Sequence, residues 1–218
     1  MRARRTQHAV ILPFSKTLLH TTVKLHPALL ATASALLTLL QPCFADTPTL
    51  WKGTAAIQFN GTSTLHDWSG TVNAQPFLTT VAMNESNQPT ALKAHVEVKA
   101  SNMDTKEAKR DENMRKAMRV VDFPLIKGDF DCAFASLLPE GGKVPEKLPF
   151  QLSILGKQQA VEAKVSNWTQ KDGKASFEID FPLSLKACGI QVPSVMFVIR
   201  VGDTVNVHVN VTLARTQA

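Results

Sequence analysis

From Val205 to Leu213 the chain alternates without a break. Val205, Val207, Val209, Val211 and Leu213 stand against Asn206, His208, Asn210 and Thr212. A period of two sends alternate side chains to opposite faces of a strand, so this segment predicts a strand with one dry and one wet face. The same rhythm recurs upstream. Leu92, Ala94, Val96 and Val98 oppose Lys93, His95 and Glu97. Ile126, Phe130, Cys132 and Phe134, with Gly128 among them, oppose Lys127, Asp129 and Asp131. Phe150, Leu152 and Ile154 form a further series, then Val161, Ala163 and Val165, then Phe177, Ile179, Phe181, Leu183 and Leu185. One-sided strands of this kind belong to antiparallel sheets.

Turn chemistry separates the series. Asn84 to Pro89 and Pro139 to Pro145 read as polar loops, and Lys171-Asp172-Gly173-Lys174 reads as a hairpin, because Asp-Gly readily supplies positive φ angles. One stretch departs from period two. Asp104 with Glu107 three residues on resembles a capping box, and Lys106 to Arg119 is rich in helix formers without β-branched residues. Met114 and Met118, four apart, share a face with Ala117 beside them. This predicts one short helix over 106–118, ended before Pro124.

Many short strands and a single helix predict an all-β barrel or sandwich. A closed barrel removes the exposed edges, and at about eight strands its interior is either filled by side chains or holds one ligand. The alternation alone fits both: every inward residue is either ordinary core or the wall of a cavity.

The formal charge of +6 suggests a nucleic-acid partner until it is located. Of 24 basic residues, five (Arg2, Arg4, Arg5, Lys16, Lys24) fall within residues 1–45, a stretch that holds no acidic residue. That leaves 19 basic against 18 acidic residues from Asp46 onward, a net charge of +1. Nucleic-acid binders concentrate charge on the folded domain, so that class is excluded. The same N-terminus reads as a secretory signal over 1–45. It has a basic stretch, an apolar run from Pro27 to Leu40, and small residues placed for cleavage after Ala45. The run is shorter than the ~20 residues of a membrane-spanning helix; a retained anchor is the competing reading. The expected product is a periplasmic domain of residues 46–218.

Two cysteines remain there, Cys132 and Cys188. An oxidising compartment allows them to pair; the alternative is two separate thiols. Metal ligation has little support, since His66, His95 and His208 lack close spacing and no C-x-x-C or H-E-x-x-H occurs. No G-x-S-x-G elbow and no glycine-rich phosphate loop is present, so no catalytic residue and no cofactor is assigned. His66-Asp67-Trp68 draws attention as a cluster. In an extended strand, however, His66 and Asp67 point to opposite faces, which favours a polar rim role for His66 over catalysis.

Residues 59–72, Phe-Asn-Gly-Thr-Ser-Thr-Leu-His-Asp-Trp-Ser-Gly-Thr-Val, resemble the opening of the YceI-like family, especially its exported branch. Met103-Asp104-Thr105 followed by Arg110 to Met114 is similar to the family's helix motif, and Asp122-Phe123-Pro124-Leu125-Ile126 to its next strand entry. Phe150 to Val165 and Asp203 to Val211 agree in order with its later strands, so the resemblance runs over roughly 51–215. It implies an extended, lipocalin-like antiparallel barrel of about eight strands holding a long-chain isoprenoid-type lipid, such as a quinone or polyprenyl compound, for transport, storage or sequestration. On that resemblance Leu65, His66, Trp68, Met114, Met118, Phe123, Phe130, Phe134, Ile154 and Phe181 are expected to touch ligand. Met114 and Met118 would form a pliable entrance, or else be core contacts of the helix. A homodimer and a transient membrane contact for ligand exchange are expected on the same basis. The chain departs from the family at Asn113, where many members have His, and in lacking a glycine around Lys147 to Gln151. The competing readings are a filled barrel acting through its surface as an interaction or stress-response module, and a hydrolase or metal-dependent enzyme using His66.

Overall fold

The computed structural model describes residues 47–134, 144–191 and 200–216. The secretory segment with its cleavage after Ala45, and most of the loop from Pro139 to Pro145, lie outside the described residues.

Among the described residues nine strands and one α-helix follow in order: β1 Thr47–Ser63, β2 Trp68–Asn73, β3 Phe77–Met83, β4 Pro89–Lys99, α1 Ala108–Ala117, β5 Leu125–Ala133, β6 Lys147–Ile154, β7 Lys157–Lys171, β8 Lys174–Ser184 and β9 Val201–Arg215. Every strand pairing is antiparallel, and β9 returns to pair β1 from Trp51↔Arg215 to Ser63↔Val201. That last pairing closes the barrel. β1 is long enough to take β3 along Thr47–Gly53 and β2 along Ala56–Gly61. β2 and β3 are therefore two halves of one strand position, and the closed wall has eight positions. The break falls at Ala74-Gln75-Pro76. There the Ala74 N–H donates to the Ala55 carbonyl, the Gln75 N–H donates across to Glu97 of β4, and Pro76 has no N–H to give.

Up-and-down order sorts the connections to two ends. The loop 64–67, α1, the turn at 155–156 and residues 185–191 after β8 gather at one end. The hairpins at 84–88 and 172–173 gather at the other. At the second end Asp172 and Gly173 both have positive φ, 49° and 72°, as the expected Asp-Gly hairpin requires. In β7 a bulge between Ser166 and Thr169, with Asn167 at φ 52°, adds one residue. It turns Trp168 back inward, where its ring stacks on Phe177 at 5.1 Å.

Three cross-strand pairs set the shape of the wall at β1. Gly53 lies opposite Phe77, Phe59 opposite Gly70, and Gly61 opposite Trp68. In each pair the ring lies flat on the glycine: a Cβ on Gly53, Gly61 or Gly70 would sit 2.3, 2.5 or 2.4 Å from the partner ring. Aromatic rings that would otherwise project into the interior are thus laid against the backbone. The Phe59 and Trp68 rings also meet edge to face at 6.2 Å.

The helix is shorter than expected and begins differently. Its N-cap is Glu107, whose carboxylate accepts from the Lys109 and Arg110 N–H groups. Asp104, expected to open a capping box, instead accepts from the Lys106 N–H and pairs with the Lys106 ammonium. The Asp104 backbone exchanges hydrogen bonds with Thr71, which ties the helix approach to the free edge of β2. Asp111 anchors the helix itself. It is buried, and one carboxylate oxygen accepts from the Thr105 N–H at 2.9 Å and the Thr105 hydroxyl at 2.7 Å.

Cys132 and Cys188 do not pair; both are buried free thiols. The topology explains why. Cys132 sits near the hairpin end of β5, opposite Leu92, whereas Cys188 follows β8 at the helix end. The Cys132 thiol donates to the Pro149 carbonyl at 3.3 Å, and Gln159 Nε2 lies 2.7 Å from the Cys188 sulfur. Burial pushes both thiols above their ordinary pKa.

The outer face carries a small carboxylate–imidazole cluster, with His95 Nδ1 2.5 Å from Asp129 and Nε2 3.4 Å from Glu97. The Asp129 hydrogen bond raises the His95 pKa above its ordinary value. The folded state thus binds this proton more tightly than the unfolded chain. Its contribution is fully present below an unfolded imidazole pKa of ~6.5 and is lost as pH rises through the higher folded value. The side chain is half exposed, so the effect on stability is small. An NMR titration should find His95 titrating above a free imidazole and falling back in Asp129→Asn; an unchanged midpoint in that variant would remove Asp129 as the cause.

Candidate functional site

The inward faces of the strands enclose a cavity of about 500 Å³. Its wall is aliphatic and aromatic: Ala55, Ile57 and Phe59 from β1, Leu92, Ala94, Val96 and Val98 from β4, Phe150, Leu152 and Ile154 from β6, and the five alternating residues Val205 to Leu213 of β9. Thr79 is the polar exception within the β3 wall. It is 1% exposed, and its hydroxyl donates to the Lys93 carbonyl at 2.8 Å, so it asks nothing of a ligand.

The decisive question for this barrel is whether inward residues meet one another or face a void. Ile57, Ala94, Val96, Phe130 and Val207 all point inward, all line the cavity, and all keep accessible surface. A filled core would bury them. Phe130, Phe150 and Phe181 instead form a connected line along one side. Phe130 stacks on Phe150 at 4.6 Å, and Phe150 meets Phe181 edge to face at 5.3 Å. Between the strands of Phe150 and Phe181 lies β7, whose fully buried Ala163 leaves room for that contact.

The two ends of the cavity differ. Leu92, Leu148, Phe177 and Leu213 form its floor and also cap a small second void of about 20 Å³ at the hairpin end, lined by Phe134, Val165 and Trp168. At the helix end the lining includes exposed residues, Leu65, His66, Glu107 and Lys109, so the cavity opens there. Polar side chains in the lining concentrate at this mouth. One face of α1 runs across it, from Arg110 and Asn113 to Met114, Ala117 and Met118, polar first and apolar afterwards.

The structure brings most of the expected site residues together. Leu65, His66, Trp68, Met114, Met118, Phe130, Ile154 and Phe181 all line the cavity. Phe123 and Phe134 do not. The Phe123 ring lies against the β6–β7 turn, 3.1 Å from where a Cβ on Gly156 would stand, with the Arg119 guanidinium over it at 4.9 Å. Phe134 continues the inward phase of β5 but falls below the floor. His66 and Asp67 are not in a strand; they occupy the loop between β1 and β2. The His66 main chain is held there, its N–H and carbonyl both within hydrogen-bond distance of the Ser63 hydroxyl, and the residue lines the mouth.

Sequence reasoning missed the walls contributed by β1 and β3, the part of the β2 wall beyond Trp68, and the cavity-facing polar pair Arg110 and Asn113. A helical spacing of 110, 113, 114, 117 and 118 was the signal for the pair. Among the described residues no group of His, Cys, Asp or Glu side chains is placed to hold a metal ion. Within the same residues, no helix is long and apolar enough to cross a membrane.

Residues 49–213 match the family model of the YceI-like domain. Among solved structures the barrel is similar to BcnA from Burkholderia cenocepacia, at 14% identity and TM-score 0.54, over 72% of this chain and 95% of that one. It is also similar to a polyisoprenoid binding domain from Saccharophagus degradans implicated in plant cell wall breakdown, at 8% identity and TM-score 0.55, over 76% of this chain and 98% of that one. At such identities the likeness is one of fold. No curated protein matches the chain at a significant level.

Proposed function

Because the chain belongs to the YceI-like family, we propose that it is a non-catalytic lipid-binding protein whose barrel holds the tail of a long-chain isoprenoid-type lipid, a quinone or a polyprenyl compound, for transport, storage or sequestration. The observation that carries this reading is the open apolar cavity of about 500 Å³, with a floor of Leu92, Leu148, Phe177 and Leu213 and a mouth at the helix end. That volume lies in the ordinary range for ligand sites of ~300–1,000 Å³. Each buried methylene contributes ~0.8 kcal/mol, so one five-carbon unit contributes ~4 kcal/mol gross, before the costs of ordering and association. A few units suffice without any charged contact, and a wall with so few polar groups suits them.

The reading places the protein in the periplasm, supported by the basic stretch, apolar run and small residues up to Ala45. It includes ligand exchange through brief contact of the mouth with a membrane. A solid interaction module is less consistent with inward apolar side chains that face a void. Native mass spectrometry of the protein purified from its own cell envelope tests the proposal. The expected spectrum carries a lipid adduct that organic solvent removes. A ligand-free spectrum, together with no uptake of an added quinone or polyprenol, would overturn it.

A further inference from the structure

The cations around α1 are treated unequally. Lys106 pairs with Asp104, Lys109 and Lys116 share Glu112, and Arg119 pairs with Asp122. All of these are well exposed, where an ion pair matters least. Arg115 points its Nε at the Ser101 carbonyl. Arg110 is only partly exposed, lines the cavity, and has no carboxylate partner for its guanidinium among the described residues; its one side-chain hydrogen bond runs 3.5 Å from Nη1 to the Thr105 carbonyl. The neighbouring carboxylates are already committed. Glu107 caps the helix and Asp111 is buried on Thr105.

A guanidinium presents five N–H donors in a planar fork, and withdrawing it partly from water without a counter-charge is unfavourable. Two further polar groups of the mouth are also unspent. Asn113, one helical turn from Arg110 on the same face, and His66 both line the cavity, and neither side chain has a hydrogen bond among the described residues. Donors are thus gathered at the open end of an apolar tunnel, without the carboxylate that would satisfy the cation.

We propose that Arg110, with Asn113 and His66, forms a head-group site, and that the lipid held by the barrel carries an anionic oxygen-rich head of the phosphate-ester class rather than a neutral quinone ring. The guanidinium fork matches the spacing of phosphate oxygens, Asn113 adds an amide donor, and His66 adds a ring nitrogen. The inference rests on the lipid-binding reading and selects within it. Its selectivity comes from the mouth and its affinity from the tunnel, so the two are separable.

The test compares geranylgeranyl phosphate with geranylgeraniol, which has the same tail and no phosphate, and with a tailed benzoquinone. Binding is measured by intrinsic tryptophan fluorescence and native mass spectrometry on the wild-type protein, Arg110→Gln and Arg110→Lys. The wild type should prefer the phosphate over the alcohol by tenfold or more. Arg110→Gln should lose that preference while keeping its affinity for the alcohol, and Arg110→Lys should keep part of it. Equal wild-type affinity for phosphate and alcohol, a preference for the quinone, or an Arg110→Gln variant that weakens both probes alike would overturn the head-group site and leave the lipid carrier standing. Uptake of none of the three probes would overturn the carrier reading, and this inference with it. Thermal unfolding of both variants identifies any loss that is only misfolding; in that event Asn113→Leu replaces them and must narrow the phosphate preference for the site to stand.

Discussion

Ala94→Phe will abolish or strongly weaken lipid uptake while the barrel stays folded. Ala94 sits midway up β4, between the floor residue Leu92 and Val98 nearer the mouth, and its methyl group faces the void rather than a neighbour's core. In register it lies between Thr79 on β3 and Phe130 on β5. A benzyl group there has an apolar surface to lie on, so it takes cavity volume and does not force the wall apart. Excluding even two methylenes of ligand costs ~1.6 kcal/mol, more than tenfold in affinity. A tail that must pass this level to reach the floor loses more than that. The thermal midpoint should hold or rise, because the new ring buries surface in the empty state. Lys93→Gln is the control: it points outward on the same strand and breaks only an exposed pair with Asp131. Titration of the variants with a tailed probe decides the matter. Undiminished binding by Ala94→Phe would place the ligand outside the tunnel.

The second large effect is on the wall itself. Gly70→Val will destabilise the protein by about 3 kcal/mol, at the upper end of ordinary overpacking. A Cβ at residue 70 stands 2.4 Å from the Phe59 ring and 2.9 Å from the Asp104 carbonyl oxygen. The ring has some freedom to move. The carbonyl has little, because the Asp104 backbone is bonded to Thr71 on the edge of β2. Relief must therefore come from moving Phe59 into the cavity or detaching the helix approach from β2. Chemical denaturation measures the loss. The companion change Phe59→Leu should recover part of it, since it removes the ring that the new side chain meets; a Gly70→Val protein as stable as the wild type would show that neither contact constrains the wall.

The same glycine–aromatic pairs explain which strands the sequence concealed. In β9 every inward residue is Val or Leu and every outward one from Asn206 to Thr212 is polar, so the alternation is plain. In β1 the inward positions are Trp51, Gly53, Ala55, Ile57, Phe59 and Gly61, while Leu50 and Ala56 face outward. Glycine at an inward position carries no hydrophobic signal, because the apolar group that occupies its place belongs to the strand opposite. β3 hides in a similar way, with Leu78 outward and Thr79 inward. Phe123 misled for the converse reason: it is aromatic and next to a strand, but a neighbouring turn rather than the cavity receives its ring. The helix was legible from composition and spacing, and the choice between Asp104 and Glu107 as its cap was not, because both carry an acceptor at a permitted distance from the first turn.

What the sequence determined by itself is local: the positions of the alternating strands, the single helix, the Asp172-Gly173 hairpin, and which face of each strand is dry. Those follow from side-chain direction along an extended backbone, which depends only on nearest neighbours in the chain. Tertiary structure alone decided three further matters. It joined β9 to β1 and so closed the barrel, a pairing between residues far apart in sequence. It set the thiols of Cys132 and Cys188 at opposite ends. It left the inward side chains facing a void, because whether residues from opposite walls touch depends on the radius at which the sheet closes, and no periodicity within a strand records that distance.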